Sequence, residues 1–261
     1  MQISLHGKRA LIGGSSRGIG KAIAEQLAES GASVTLMARS EDQLKAIVAG
    51  LTYNEGPPHN YLVVDFTDFD SYQKKISKYF ETYSVDILVN NTQGPSSGSA
   101  LEKNVSDYQE AFNLLFKSVV FTTQLALKHM MQNKWGRVIN VASISVKEPL
   151  GYLALSNTIR AAVVTWAKSL ANEVAIDKIT VNSILTGYFD TERITGLNKK
   201  KSEQMGIPID QVRKAMEEQV PMKRIGNPSE YGYLVAFLAS DKASYITGTN
   251  IPIDGGLLKS L

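Results

Sequence analysis

The sequence predicts a single α/β domain built on a doubly wound parallel sheet, with helices on both faces. Short apolar runs alternate with stretches of helical spacing along all 261 residues. These runs show little alternation of polar and apolar residues, which is typical of strands covered on both faces. No linker, repeat or low-complexity tract divides the chain, so residues 1–261 are expected to form one domain.

The first strand is predicted to begin at Arg9, where the run Arg-Ala-Leu-Ile leads into glycines. Six further strands are predicted from apolar runs at residues 34–38, 61–64, 87–90, 138–142, 179–185 and 250–253. Long apolar-rich helices are predicted at residues 105–132 and 152–175. In a doubly wound sheet the ligand crevice lies beyond the carboxyl ends of the strands, so site residues should follow strands.

The segment after the first predicted strand resembles a phosphate-binding loop. It reads Gly-Gly-Ser-Ser-Arg-Gly-Ile-Gly from Gly13 to Gly20. Gly14, Gly18 and Gly20 would provide a tight turn, a close backbone approach to a phosphate and close helix packing. The N-terminus of the following helix would offer unpaired N–H groups to the anion. A dinucleotide site is therefore predicted. The spacing, Gly-x-x-x-Gly-x-Gly, differs from the Gly-x-Gly-x-x-Gly of the common dinucleotide-binding motif, and a glycine cluster between a strand and a helix can also be only a turn.

Composition excludes several classes of function. The chain has 28 basic and 25 acidic residues and a net charge of +3, which favours neither nucleic-acid binding nor an anionic membrane surface. It has no cysteine, and its three histidines (His6, His59 and His129) lack metal-ligand spacing. The N-terminus does not resemble a signal peptide, and no segment has the apolar length of a membrane span. We therefore expect a cytoplasmic protein that binds no metal.

Further motifs follow the later strands. They are Asp65, Asn90-Asn91-Thr92, the run 136–143, Ala161-Ala162 with the run 168–173, Val181-Asn182, the run 245–248 and the run 254–256. With the glycine segment, they resemble the short-chain dehydrogenase/reductase family over nearly the whole chain, especially its bacterial 3-oxoacyl-thioester reductases. The resemblance implies a Rossmann-type fold, nicotinamide-dependent carbonyl reduction and a homotetramer formed through the two long helices. Leu127, Met130 and Met131 would supply apolar surface for that contact.

The charge that follows the second strand favours NADP(H) over NAD(H). A carboxylate there would bind a ribose 2′-hydroxyl, whereas a cation accommodates a 2′-phosphate. Arg39 and Ser40 stand at this position, and Arg17 of the glycine segment could approach the same phosphate. Both arginines could also be solvated surface charges. The full set of predicted cofactor contacts is Gly14, Ser16, Arg17, Gly18, Ile19, Gly20, Arg39, Ser40, Asp65, Phe66, Asn91, Arg160, Gly187 and Thr191.

The reaction centre departs from the family pattern. The enzymes resembled use a Ser after the fifth strand, a Tyr thirteen residues later, a Lys four residues beyond it and an Asn on the preceding helix. Ser143 matches the first, but Ser156 stands at the Tyr position, Arg160 at the Lys position and Leu115 at the Asn position. Asn113 lies two residues earlier and is expected on a different helix face. The resemblance is therefore to a divergent member of the family.

The altered centre is predicted to bind a carbonyl oxygen. Serine is a far weaker acid than tyrosine, while an arginine retains the positive charge of the missing lysine. Ser143, Ser156 and Arg160 are expected to form a cluster, although Ser156 could equally be a helical serine without chemistry. Tyr152, expected on the helix one turn before Ser156, and Tyr188 are alternative proton donors, or only parts of the cavity wall.

Residues 192–221 are predicted to form a substrate lid, with helical pattern at residues 210–218. Its basic residues could bind an anionic group of the substrate, or they could only be solvated charges on an exposed helix. They are Arg193, Lys199, Lys200, Lys201, Arg213 and Lys214. The predicted function is NADP(H)-dependent reduction of a small carbonyl compound, with 3-oxoacyl thioesters as candidates. The alternatives are a dinucleotide-binding sensor or partner subunit without redox turnover, and redox-neutral chemistry with a bound cofactor.

Overall fold

The computed structural model describes residues 2–52 and 56–260 and contains the predicted doubly wound sheet. Seven strands, all parallel, are ordered β3-β2-β1-β4-β5-β6-β7. They are β1 (Arg9–Gly13), β2 (Ser33–Ala38), β3 (Asn60–Val63), β4 (Ile87–Asn90), β5 (Gly136–Val141), β6 (Ile179–Thr186) and β7 (Asn250–Ile253). The strand order reverses between β1 and β4, and this reversal leaves a crevice beyond their carboxyl ends.

Nine α-helices are assigned within the described ranges, and most of them cover the sheet. They are α1 (Gly18–Glu29), α2 (Glu41–Gly50), α3 (Phe69–Thr82), α4 (Val105–Phe112), α5 (Ser118–Asn133), α6 (Ala154–Val174), α7 (Glu192–Met205), α8 (Ile209–Gln219) and α9 (Pro228–Ala239). Helices α1, α2 and α9 share one apolar core with the sheet, while α3 to α6 share a second core. The two cores explain why the strands are apolar on both faces.

Three details of the helices differ from the sequence predictions. The predicted helix at residues 105–132 is α4 and α5 joined by a π-helical turn, Asn113–Lys117. The helix predicted from residue 152 begins at Ala154, so Tyr152 lies in a turn before α6. Within residues 192–221 the structure has α7 as well as the predicted α8.

The predicted contribution of Leu127 and Met130 to a subunit surface is wrong. Both side chains are buried in the core beneath α5, because they lie on the helix face that packs on the sheet. Met131, the next residue after Met130 on α5, is exposed. In the part of the chain that the structure describes, no helix has both the length and the apolar character needed to cross a bilayer.

Candidate active site

The glycine loop after β1 leaves room for a ligand at the N-terminus of α1. Gly14 and Gly18 adopt left-handed φ values of 55° and 54°, which L side chains rarely adopt. A methyl group on Gly13 would overlap the carbonyl oxygen of Asn91, and one on Gly20 would overlap that of Gly14. No side chain caps the start of α1, so the N–H groups of its first turn are available to an anion.

Two side chains hold this loop in place. The Nδ2 of Asn91 donates hydrogen bonds to the carbonyl oxygens of Gly13 at 3.0 Å and Gly14 at 3.4 Å. The buried Ser15 hydroxyl donates to Ile12 O at 2.9 Å and accepts from the backbone N–H of Met37 at 3.0 Å. Asn91, predicted as a cofactor contact, therefore also shapes the loop. Ser15 was missed by sequence reasoning, because its position among glycines carries no sign of its burial.

The predicted adenosine end of the site lies beyond β2 and β3. Partial burial raises the pKa of Asp65, but hydrogen bonds from the hydroxyl and N–H of Thr67 and the nearby charge of Arg39 outweigh it and leave the pKa below its ordinary value. Arg39 is exposed, and Ser40 is the N-cap residue of α2. The structure thus brings Arg39 near Asp65. The side chain of Phe66 is buried in the core, which leaves only its backbone for a cofactor contact.

The segment after β6 closes the other side of the glycine loop. Thr191 lies against Gly18, where a Cβ atom would come within 3.2 Å of its methyl carbon. Arg17 forms an ion pair with Glu192 at the start of α7. The pair is exposed and joins the loop to the predicted lid. Arg17 would have to leave Glu192 in order to meet a 2′-phosphate, and this competing contact was not anticipated.

A cavity of about 980 Å³ opens beside the glycine loop and contains the predicted reaction centre. Ser143, Ser156 and Arg160 all line it, as do Ile19, Asn91, Gly187 and Thr191. Ser143 begins a short 3-10 turn, and its Oγ accepts a hydrogen bond from the N–H of Ser145 at 3.1 Å. Ser156 is 6% exposed, and Arg160 follows it by one turn of α6. The three predicted residues therefore meet at one cavity.

Arg160 is a partly buried cation beside the cavity. Its Nη1 donates to the carbonyl oxygen of Val141, at the end of β5. Burial and, to a smaller extent, the nearby positive charge of Arg193 lower its pKa to about 10, with Tyr231 partly offsetting them. Arg160 therefore remains protonated at neutral pH and can stabilise an oxyanion.

Tyr152 and Tyr188 face each other at the cavity wall. Burial, together with the nearby Tyr152 and the hydrogen bond to it, raises the pKa of Tyr188 to about 12. Burial also raises the pKa of Tyr152, although Tyr188 and the charge of Arg193 partly offset it. Both phenols are therefore poor proton donors near neutral pH. Tyr152 lies in a turn before α6 and not, as predicted, on the helix itself.

The π-helical turn contains Leu115, the residue predicted to stand at the family's Asn position. Leu115 is buried, while the Oδ1 of Asn113 accepts a hydrogen bond from Gln109 at 3.2 Å. Two buried amides lie on the neighbouring strands, and the Nδ2 of Asn90 donates to the Oδ1 of Asn140 at 2.9 Å. These amides were not predicted as site residues, since polar side chains inside apolar strands give no local signal of what they face.

Comparisons with known proteins give the family context. A family model described as enoyl-(acyl carrier protein) reductase matches residues 14–258. The 3-oxoacyl-[acyl-carrier-protein] reductase FabG of Vibrio cholerae is 34% identical over 98% of this chain and 99% of its own. L-Sorbose reductase of Gluconobacter frateurii, solved with NADPH and L-sorbose, is 31% identical with a TM-score of 0.92 over all of both chains. YwfH, an NADPH-dependent reductase involved in bacilysin biosynthesis, is 28% identical with a TM-score of 0.90 over 97% of this chain and 99% of its own.

Proposed function

Since the chain belongs to the short-chain dehydrogenase/reductase family, we propose that it is an NADP(H)-dependent oxidoreductase that reduces a carbonyl compound through an altered reaction centre. The single observation that carries the proposal is the shared cavity: Ser143 and Arg160 line the same space as the glycine loop's Ile19 and the Thr191 that faces the loop. Cofactor and substrate oxygen can therefore meet there.

The residues present fit a dinucleotide with an extra phosphate. The close approach of Gly13 and Gly20 to neighbouring carbonyls leaves a cradle that side chains would fill, next to uncapped N–H groups of α1. We assign the pyrophosphate to this cradle and the 2′-phosphate to the exposed Arg39. Asp65 and the backbone of Phe66 would contact the adenine, while Arg160, Gly187 and Thr191 would contact the nicotinamide side. One solved relative is described in complex with NADPH and another as an NADPH-dependent reductase, which supports the same cofactor here.

NADPH supplies the hydride when bound, and the residues of this chain act on the substrate oxygen. The Ser143 hydroxyl would donate a hydrogen bond to the carbonyl oxygen. The Arg160 guanidinium would stabilise the negative charge that grows on that oxygen as the carbonyl is reduced. These two groups would polarise the carbonyl without transferring a proton themselves.

We assign to solvent water the role of donating the proton that the substrate oxygen receives. The Ser156 hydroxyl is a very weak acid, and Tyr152 and Tyr188 have raised pKa values. The cavity is open to water, and Ser156 can hold a water molecule beside the developing alkoxide. Residues 192–221 would act as the lid over this site, since α7 lines the cavity.

The experiment measures NADPH binding and turnover separately. Binding is followed by the change in NADPH fluorescence, and turnover by loss of NADPH absorbance with a carbonyl panel. The panel includes 3-oxoacyl thioesters, because several relatives are named for them, and ketoses, oxo acids and neutral ketones. Tight NADPH binding and reduction of at least one class are expected. Binding without turnover would favour a sensor or partner subunit, and product without net NADPH loss would favour redox-neutral chemistry.

A further inference from the structure

Cationic side chains dominate the lining of the active-site cavity. Five basic residues line it against one acidic residue, Glu102: Lys103, Arg160, Arg193, Lys200 and Lys201. The Glu102 carboxylate accepts a hydrogen bond from the N–H of Ser99 at 2.7 Å, and so belongs to its own loop. The cavity therefore carries a positive potential that favours an anionic ligand.

Helix α7 provides most of this charge on a single face. Arg193, Leu197, Lys200, Lys201 and Gln204 line the cavity, at the spacing of one helical stripe. The remaining basic residue of this helix, Lys199, does not line the cavity. The predicted lid thus turns a basic face inward rather than only to solvent.

Arg193 is the cation of this stripe that reaches the reaction centre. Its guanidinium lies against the backbone of Gly94, where a Cβ atom would come within 2.5 Å of its Cζ. It is close enough to Arg160 that its charge lowers the pKa of that guanidinium, and close enough to Tyr152 to lower the pKa of that phenol. Two guanidinium groups therefore face one cavity.

Two arginines beside the cleft, Arg17 and Arg213, are paired with carboxylates, but Arg193 is not. Arg213 of α8 binds Asp190 at 3.0 Å and 3.1 Å and Glu217 at 3.0 Å, and Arg17 binds Glu192. Within the described residues, 2–52 and 56–260, the Arg193 guanidinium has no hydrogen bond and no ion pair. Two like charges in one cleft repel each other, and an oxyanion bound between them would remove this repulsion.

We propose that Arg193 binds the anionic group of the substrate, a carboxylate or a phosphate, while the substrate carbonyl lies at Ser143 and Arg160. This inference rests on the proposed reductase function and adds the substrate class. A guanidinium binds either oxyanion through two parallel hydrogen bonds, which would fix the distance between anion and carbonyl. Lys200 and Lys201, farther along the same stripe, attract the anion into the cleft.

The test pairs each anionic probe with a neutral counterpart of the same carbon skeleton. Pyruvate and acetoacetate are compared with their methyl esters, and dihydroxyacetone phosphate with dihydroxyacetone. Binding to the NADPH-loaded protein is measured by calorimetry, and kcat/KM by NADPH loss. The wild-type protein is expected to prefer at least one anion over its counterpart by tenfold or more. The acid and phosphate arms identify which oxyanion is bound.

Variants locate the preference at one side chain. Arg193→Gln should lower affinity for the preferred anion at least tenfold with little effect on the neutral counterpart, and Arg193→Lys should keep part of the preference. Gly94→Ala should act in the same direction, because its methyl group displaces the guanidinium. Lys199→Gln is the matched control on the outer face of α7 and should change nothing.

The calorimetric readout separates this inference from the proposed function. Anion-selective binding without turnover would leave the inference standing and contradict the reductase proposal. Turnover without any preference for an anion over its counterpart would overturn the inference alone. Equal losses for acid and ester in Arg193→Gln, or weakened NADPH binding, would overturn it as well, since the arginine would then serve the fold or the cofactor.

Discussion

Arg39 is the residue on which cofactor choice is predicted to depend. It is exposed at the end of β2, and its charge acts on Asp65 across the predicted adenosine site. Arg39→Asp should weaken NADPH binding by about 1–3 kcal/mol, the loss of a charge-assisted contact, and should favour NADH. Fluorescence titration with both cofactors measures the change. Lys74→Asp makes the same charge change on an exposed position of α3 and should leave the ratio unaltered. Equal affinity of the unmodified protein for the two cofactors would refute this prediction.

Ser143 and Arg160 are predicted to share the stabilisation of the substrate oxygen. Ser143→Ala and Arg160→Ala should each cost about 2–4 kcal/mol of transition-state stabilisation, the usual loss for one oxyanion donor. NADPH should still bind to both, because the glycine loop is intact. Steady-state kinetics with a substrate from the panel gives the loss in kcat/KM. If Ser143→Ala retains full turnover while Tyr152→Phe or Tyr188→Phe abolishes it, the proton comes from a phenol and the assignment of the centre is wrong.

The double variant Ser156→Tyr with Arg160→Lys introduces, one turn apart on α6, the two residues that the sequence resemblance predicts for these positions in the family. Both positions line the cavity, so a phenol introduced at position 156 has space to extend into it. A phenol beside an ammonium is a much better proton donor than a serine hydroxyl, and a rise in kcat for carbonyl reduction is expected. The pH profile provides a second readout, because a phenol that donates the proton should add an ionisation that the wild-type profile lacks. A loss of rate in a folded, NADPH-binding double variant would mean that Ser156 and Arg160 are themselves required.

At the scale of elements, the sequence predicted what local patterns determine. The strand bounds agree within two residues, because each buried strand is a continuous apolar run. The π-helical turn Asn113–Lys117 was missed, since its residues fit a helical pattern and nothing local marks an extra residue per turn. Helix α7 was missed because its residues are too polar to show an apolar stripe, and its inward face is basic.

The start of α9 gives a prediction about pH dependence. The Glu230 carboxylate accepts two hydrogen bonds from Arg224 at 2.7 Å and 2.8 Å and one from the N–H of Asn227 at 2.7 Å, which completes a capping box. These contacts lower the pKa of Glu230 from 4.5 to about 2. A carboxyl whose pKa is lower in the folded state stabilises the fold above its unfolded pKa. This stabilisation is lost as the pH falls from 4.5 towards 2.

Glu230→Gln should therefore lower the free energy of unfolding at pH 7 by about 1 kcal/mol, a typical value for a helix cap whose ion pair is partly screened by solvent. It should also flatten the fall in stability between pH 4.5 and 2. Urea unfolding across this range measures both effects. Glu25→Gln, which removes an exposed carboxylate near Lys21 on α1, is the control and should keep the wild-type slope. An unchanged slope in Glu230→Gln would contradict the assignment.

At the scale of the molecule, the sequence predicted which residues meet and missed how their charges are distributed. Ser143, Ser156 and Arg160 were expected together because Ser143 follows a strand and Ser156 and Arg160 lie one helical turn apart on one face, and all three line one cavity. The partners of the charged side chains depend instead on contacts between residues that are far apart in the chain. Arg17 meets Glu192 from 175 residues away, and Arg193 meets Gly94, neither of which a local pattern can indicate. The substrate class was therefore open from the sequence, and the structure supplies the argument for an anion.

The assembly is the last prediction, and it rests on one exposed aromatic surface. Phe112 of α4 is 37% exposed and stacks on Phe116 at 5.1 Å, which contacts Trp166 of α6 edge-on at 6.1 Å. Val105, two turns earlier on α4, is 86% exposed on the same side. Apolar surface of this kind on two neighbouring helices suits a symmetric contact with a second copy, and the expected state is a homotetramer or at least a dimer.

Phe112→Lys should move the assembly to a smaller species, because a charge would be buried in the contact. Sedimentation velocity at micromolar concentration measures the state, and circular dichroism checks that the fold is retained. Ile176→Lys is the matched control, since Ile176 is 87% exposed beyond the end of α6, away from this surface. A wild-type monomer would refute the prediction. Dissociation in Ile176→Lys with an intact Phe112→Lys assembly would place the contact elsewhere, because the two variants add the same charge to different apolar surfaces.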